Sequence, residues 1–584
     1  MPDPAYLFGP GRSRRPNVMA RHHVVVSGHY YASLAGLQVL EAGGNAIDAG
    51  VATGLAIDVL ESEFVGFGGV APVMIHLADR NKTHVISGVG VWPQAASIEQ
   101  FHRNYGGRIP EGLLHTVVPA APSIWIAALA RFGTMSFGEV AAAAIRFARE
   151  GFPTYPFLAE QLAARQNDIA RWPSTAAIFL PNGQPPQVGE IFVQSDLGRT
   201  LQYMADQEQA HAKGDRLAGL KAARDTFYRG DIAGAILRHQ QENGGWLTED
   251  DLAEFHSPIE PPCHTRFGVF DVYGCGPWSQ GPMVLETLKI LERLDLRGMG
   301  HNSAAYVHAV TEALKLAAAD REVYFGDPAF IDVPLDTLLS DDYAARQRAR
   351  IDPARACPVM PPAGEVGGAS IPPWRPDPSA GAALEIADTR PETSFLCVAD
   401  RHGNVFAATP SDPTIAGPAV PGTGITVSMW GSRGYTGLDH PARIGPGRRP
   451  RMSANPAIAI KPGELVMPFG SPGSEVLGQA MVQVFLNQAV FGMDPQSACE
   501  APRFASYSWP ESALPHSYRP GHLCIEEDVG AATCEALAAL GHRVERWPER
   551  KYLAGSVCTI QSDLRASVKW AGADPRRTAY AIGW

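Results

Sequence analysis

Apolar positions divide this chain into blocks of two different periods. Val24-Val25-Val26 is a short unbroken run that predicts a strand over about 24–28. The block from Ser33 to Leu40 has helical spacing and stops at Gly43-Gly44, a helix C-cap signal. Asn45 or Asp48 can then cap a second helix from Ala49 to about Leu60, rich in small residues that suit close packing on a sheet. Val73 to Leu77 and Thr83 to Ser87 predict a hairpin across a polar turn. From about 120 to 240 the spacing is helical, with one block, Phe137 to Arg149, ending at Gly151. A strand signal returns at 268–273, followed by helices over about 281–293 and 303–324. Past residue 393, two β-prone apolar runs flank Arg401-His402-Gly403-Asn404 and predict a core hairpin. Later helices are expected near 479–490 and 531–540. Strands and helices mixed around a central hairpin predict stacked α and β layers.

One stretch carries no period. Residues 352–392 are rich in Pro, Gly and Ala, and 357–378 has the composition of a linker, so the whole stretch is expected to be exposed and cleavable. That makes Thr393 the informative position, a hydroxyl at the head of a core hairpin directly after a cuttable loop. If the chain is cut before it, its freed amine can act as base for its own hydroxyl.

Bulk properties narrow the picture modestly. A chain of 584 residues implies several domains or one large layered one. The net charge of −11 argues against nucleic acid or an anionic membrane as partner, and leaves small anionic substrates open. Eight scattered cysteines without a Cys-x-x-Cys pair support neither a disulfide framework nor a metal site, and read as buried thiols of a cytoplasmic protein. No apolar run approaches the ~20 residues of a membrane-spanning helix. His22, His23, His301 and His402 lack metal-like partners, and Cys275 reads as a buried thiol. Gly66, Gly68 and Gly69 lack the Lys-Ser/Thr of a phosphate loop and suggest close backbone approach to a site instead. Asp320, Arg321 and Asp327 read as structural ion pairs or caps.

Several segments, taken in order, resemble the γ-glutamyltransferase family of N-terminal-nucleophile hydrolases. They are Ala32-Ser33-Leu34-Ala35-Gly36 with Gly43 to Ala49, Gly66-Phe67-Gly68-Gly69, Gly244 to Leu252, Gly300-His301-Asn302-Ser303 with Glu312 to Arg321, Gly447-Arg448-Arg449-Pro450, Ala501-Pro502-Arg503-Phe504 and Asp574-Pro575-Arg576. The resemblance implies an α+β fold, a four-layer αββα sandwich. It implies a precursor that cuts itself between Glu392 and Thr393, leaving a large fragment, 1–392, and a small one, 393–584, associated as a heterodimer with room for higher homo-oligomers. It also implies acyl transfer through Thr393 on a small-molecule amide, with neither metal nor cofactor. Thr409 and Ser411 occupy the family's downstream hydroxyl positions, Ser411 being the better placed to orient Thr393. Gly470-Ser471-Pro472-Gly473-Ser474 resembles the oxyanion loop, with the amides of Gly473 and Ser474 as donors.

The departures fall on the substrate grip. The stretch 86–93 has no arginine for an α-carboxylate, and the acidic element for an α-amino group is unmatched near 424–434. The family's serine pair is reduced to Met452-Ser453, and Pro413 stands near a substrate-contacting asparagine. The expectation is a kept catalytic core with changed specificity, as in a divergent branch that includes oxamate amidohydrolase-like proteins. Val91, Trp92, Met429 and Trp430 would line a more apolar pocket, where Arg433 could meet a carboxylate. The alternatives are a γ-glutamyltransferase or glutathione hydrolase with other gripping residues, and an uncleaved binding protein on the same fold.

Overall fold

The computed structural model describes residues 13–368, 375–378 and 392–584. Part of the loop expected to be cleavable, 369–374 and 379–391, therefore lies outside the described residues. Two seven-stranded antiparallel sheets form the centre. In one the strands run Val18–Ala20, Val568–Ala573, Cys558–Asp563, Leu465–Gly470, Ala457–Lys461, Phe270–Gly274 and Cys263–Phe267. In the other they run Tyr580–Gly583, Val24–Ser27, Leu396–Ala399, Val405–Ala408, Val73–Leu77, Lys82–Ile86 and Ile259–Glu260.

Strand period 2 explains the layering. Leu396, Val398, Phe406 and Ala408 belong to a core shared with the helices Tyr30–Glu41, Ala46–Leu60 and Ala121–Phe132. Their neighbours Phe395, Cys397, Ala399, Val405 and Ala407 face the other way, into a core between the two sheets. In the first sheet Ala457, Ala459, Met467 and Phe469 pack under the helices Gly281–Leu291, Ala304–Tyr324 and Val476–Ala489. Ile458, Ile460 and Val466 meet the inter-sheet core. The order is helix, sheet, sheet, helix, the expected αββα sandwich. Burial on both faces is why these strands read as unbroken apolar runs.

The predicted hairpins form at 73–77/82–86 and 396–399/405–408. Asn45 caps the helix Ala46–Leu60 in a capping box with Asp48. Asp320 accepts hydrogen bonds from Tyr343, Gln347 and Gly364, and Asp327 pairs with Arg449. All eight cysteines are free and six are buried. The linker expectation fails over its first part. Residues 352–366 lie docked on the second helical layer: Cys357 O accepts from Lys315, Tyr324 donates to Gly364 O, and Met360 and Ala363 are buried. Among the described residues, no helix is long and apolar enough to cross a membrane.

Candidate active site

Hairpin register sets the geometry at Thr393. Leu396 pairs with Ala408, and continuing outward places residue 411 opposite residue 393. The structure realises this. Ser394 N–H donates to Pro410 O at 2.9 Å, and the hydroxyls of Thr393 and Ser411 lie 2.7 Å apart. Thr393 is 2% exposed, its N–H donates to Phe64 O at 3.2 Å, and its carbonyl accepts from Arg577 Nη1 at 3.2 Å. Its backbone is held at φ +93°, a left-handed region that a β-branched residue adopts only under strain. Asp412 at +79° and Ser474 at +52° share that property. Positive φ at three non-glycine residues around one cleft is the pattern of a site whose conformation the rest of the fold imposes.

Close backbone packing creates the surroundings. A Cβ on Gly68 would lie 2.3 Å from Thr426 O, and one on Gly69 2.4 Å from Ser411 O. The glycine cluster is thus the floor against which the 411–426 segment is pressed. At Gly470 a Cβ would sit 2.2 Å from the Phe395 ring. That contact fixes where the loop 471–474 leaves its strand relative to Phe395, two residues after Thr393. The loop leads into the helix Val476–Ala489, whose N-terminus carries partial positive charge. Among the described residues, the amides of Gly473 and Ser474 donate to no partner. The buried Glu475 ties the loop down, pairing with Arg321 at 2.5 Å and accepting from Ser512 N–H at 2.7 Å.

Beside Glu392 and Asp412, the sequence neighbours of Thr393 and Ser411, opens a cleft of about 500 Å³ that Met429, Arg433, Ser474, Glu511, Arg171, Trp172 and His115 also line. Arg433 lies flat on Trp430, its Cζ 3.6 Å from the ring centroid, and donates from Nη2 to Glu392 Oε2 at 3.0 Å. Burial, with the neighbouring Glu392 adding to it, pushes the Asp412 carboxyl up to about 7 despite its 2.5 Å hydrogen bond from Ser428. Burial also pushes Glu511 up to about 8 and holds His115 down to about 4. The cleft is therefore less anionic near neutral pH than its acidic residues suggest.

The structure brings Thr393, Ser411, Ser474, Glu392, Met429 and Arg433 together, with Gly473 beside them and Trp430 under Arg433. None of the other candidates lines that cleft. Thr409 is fully buried with no partner for its hydroxyl among the described residues. Val91 packs against the helical core. Trp92 is buried beneath Gly431 and Gly434, supporting the turn that carries Arg433 from behind. Met452 lies in the inter-sheet core, bonded through its N–H to Trp278 O, and Ser453 is buried beside it, neither lining the cleft. Sequence reasoning missed Asp412, although it directly follows a singled-out hydroxyl. It also missed Arg577, which directly follows Asp574-Pro575-Arg576. Arg577 is buried and held down to about 10 by that burial, with Glu61 opposing the shift.

A family model described as gamma-glutamyltranspeptidase matches residues 32–584. The acylase ACY 1 proenzyme of Pseudomonas sp. (strain SE83) is 34% identical over 541 residues, spanning 90% of this chain and 88% of its own. The glutathione hydrolase proenzyme of Pseudomonas sp. (strain A14) is 32% identical over 529 residues, spanning 87% and 85%. The crystal structure of cephalosporin acylase from Bacillus halodurans superposes with a TM-score of 0.84 at 27% identity, covering 99% of this chain and 98% of that one.

Proposed function

The chain belongs to the gamma-glutamyltranspeptidase family of N-terminal-nucleophile hydrolases and transferases acting on amides. From that premise we propose that it is a self-processing threonine amidohydrolase, cut between Glu392 and Thr393, whose donor is a small amide other than the usual γ-glutamyl one. The observation that carries this is the Thr393–Ser411 hydroxyl pair at 2.7 Å, at strained backbone, directly next in sequence to Glu392 and Asp412, which line a cleft. Relatives described as proenzymes support the cut. Eight unpaired cysteines support a reducing, cytoplasmic setting.

In the precursor, Thr393 Oγ1 attacks the Glu392 carbonyl. The C–N bond breaks as the acyl group moves to oxygen, and water opens the ester. This leaves a Glu392 carboxylate and a free Thr393 amine. An α-amine titrates at about 7.7–8.0, so a neutral fraction exists near pH 7. The amine takes the Oγ1 proton while Oγ1 attacks the substrate carbonyl, and the Gly473 and Ser474 amides face the developing oxyanion. Collapse expels the amine, and water releases the acid. Ser411 holds Oγ1 in place throughout.

Intact-mass measurement tests the reading. Fragments of 1–392 and 393–584 are expected from the wild type, with full-length chain from Thr393→Ala. Active material consisting of one uncut chain would sink it. A second reading, γ-glutamyl transfer, draws support from Asp412, because Arg433 and Asp412 put both charge signs in one cleft. Turnover of a γ-glutamyl anilide at the rate of the best simple amide would favour it.

A further inference from the structure

Outside the cleft, two histidine rings meet that no step of the reaction uses. His308 lies on the helix Ala304–Tyr324, and His542 between the helix Ala531–Ala539 and the strand Arg543–Trp547. Both are buried, and His308 Nδ1 stands 2.9 Å from His542 Nε2. One helical turn after His308, the buried Glu312 shares its helix face, as i, i+4 spacing dictates. One nitrogen of each ring and one Glu312 carboxylate oxygen all lie within 4.8 Å of one another. None of the three residues lines the cleft.

The protons of the pair follow from its neighbours. His308 Nε2 lies 2.8 Å from Asp352 O. A carbonyl only accepts, so that nitrogen carries the proton and Nδ1 presents a lone pair. His542 then donates from Nε2, which leaves its Nδ1 bare. That Nδ1 is buried with no partner among the described residues, so no neighbour holds His542 to this tautomer. Moving its proton to Nδ1 turns Nε2 into a second lone pair aimed at the first, with a carboxylate beside both.

Two imidazoles and one carboxylate are a ligand set for zinc, with a fourth position for water. His308 already has the support of a metal-ligating imidazole, its other N–H held by a backbone carbonyl. Nitrogens bound at ~2.0–2.1 Å in a tetrahedron stand about 3.3 Å apart, so the rings need ease apart by only about 0.4 Å. Lys315 selects among ions. Its Nζ pairs with Glu312 Oε1 at 2.7 Å and donates to Cys357 O at 2.8 Å, while Cys357 N–H donates to Glu312 Oε2 at 3.2 Å. That ammonium opposes a second cation, so an ion held by charge on oxygen, Mg2+ or Ca2+, is poorly served. Late first-row ions with affinity for imidazole are favoured instead.

We infer that His308, Glu312 and His542 form a structural site for zinc or a neighbouring late first-row divalent ion. Two ligands belong to 1–392 and the third to 393–584, so the bound ion ties the two proposed fragments together. The site itself does not depend on the cut.

The test uses untagged protein stripped by a chelator, both cut wild type and uncut Thr393→Ala. Saturating zinc is expected to bind as one ion per chain by calorimetry and to raise the melting temperature of both by roughly 2–5 °C. Mg2+ and Ca2+ are expected to do neither. His308→Gln and His542→Gln should each weaken zinc binding at least about 100-fold and leave amide turnover within about twofold. Anomalous scattering from zinc-grown crystals of the wild type needs no variant, and should place the ion among the three side chains. Absence of binding, an ion located elsewhere, unchanged affinity in both variants, or an equal response to Mg2+ overturns the inference. Zinc bound at this site in a wild type that is active but never cut sinks the functional reading alone.

Discussion

The strain at Thr393 exists only while the peptide bond before it exists. The angle φ +93° is defined through the carbonyl carbon of Glu392, so breaking that bond removes the distortion, about 1–3 kcal/mol. Ser411 is the residue whose loss should be felt next. Ser411→Ala is expected to lower kcat roughly tenfold, the value of one orienting hydrogen bond, with KM little changed and Ser411→Thr restoring most of it. Steady-state kinetics on cut enzyme checks this. Asp412 makes a pH prediction whose sign is fixed. Its acid form dominates below about 7, and departure of Glu392 removes one contribution that raises it. Turnover of a γ-glutamyl anilide relative to the same anilide without the amino group should therefore rise from about pH 6 to about pH 8, and Asp412→Asn should flatten it. Taking the ratio cancels the titration of the Thr393 amine, which acts on both substrates. Thr393 was legible as a hydroxyl at the head of a hairpin and Ser411 through the family resemblance; the hairpin register is the physical reason the two meet. Asp412 and Arg577 were not, because their meaning comes from what a distant strand or turn places beside them. Met452 and Ser453 were singled out from segment order, and the structure buries both, Met452 in the core between the sheets.

Among the elements, the glycine loops do the positioning. Gly69→Ala would drive a methyl to 2.4 Å from Ser411 O, and Gly470→Ala one to 2.2 Å from Phe395. Each should cost about 1–3 kcal/mol and slow self-cleavage, read by thermal melts and the cut fraction over time. Gly234, inside the helix Asp231–Glu242, has only Arg238 Nη1 near, at 3.4 Å. Gly234→Ala is the control, expected to stabilise by about 0.5–1 kcal/mol. Central strands and capped helices were visible in the chain because burial on two faces, or a capping box, leaves a local mark. The edge strand Cys263–Phe267 was not, since its exposed positions interleave Cys, His and Arg with Thr and Phe. Two-residue pairings such as Phe152–Pro153 with Ile191–Phe192 leave no local mark at all.

At the scale of the molecule, a buried ionic lattice joins the second helical layer to the cleft. Arg321 binds Glu475 and Glu322, and Arg451 binds Glu322. Arg321→Met would leave the buried Glu475 without its cation and Glu322 with Arg451 alone, and should destabilise by about 3–5 kcal/mol, seen as a lower melting temperature together with slower maturation. Burial raises the Glu322 carboxyl, but Arg451 and Arg321 outweigh it and hold the group well below its usual range. Its contribution to stability is therefore complete above the unfolded carboxylate range and is lost as pH falls through its depressed folded value. The proposed fragments also interleave. In one sheet Val24–Ser27 of the large fragment lies between Tyr580–Gly583 and Leu396–Ala399 of the small one. In the other, four small-fragment strands sit between Val18–Ala20 and Phe270–Gly274. Once the chain is cut, losing the fold means parting two molecules that share both sheets and one helical layer, and mass action enters where none applied before. The cut enzyme's reversible melting midpoint should climb with protein concentration while that of uncut Thr393→Ala stays constant.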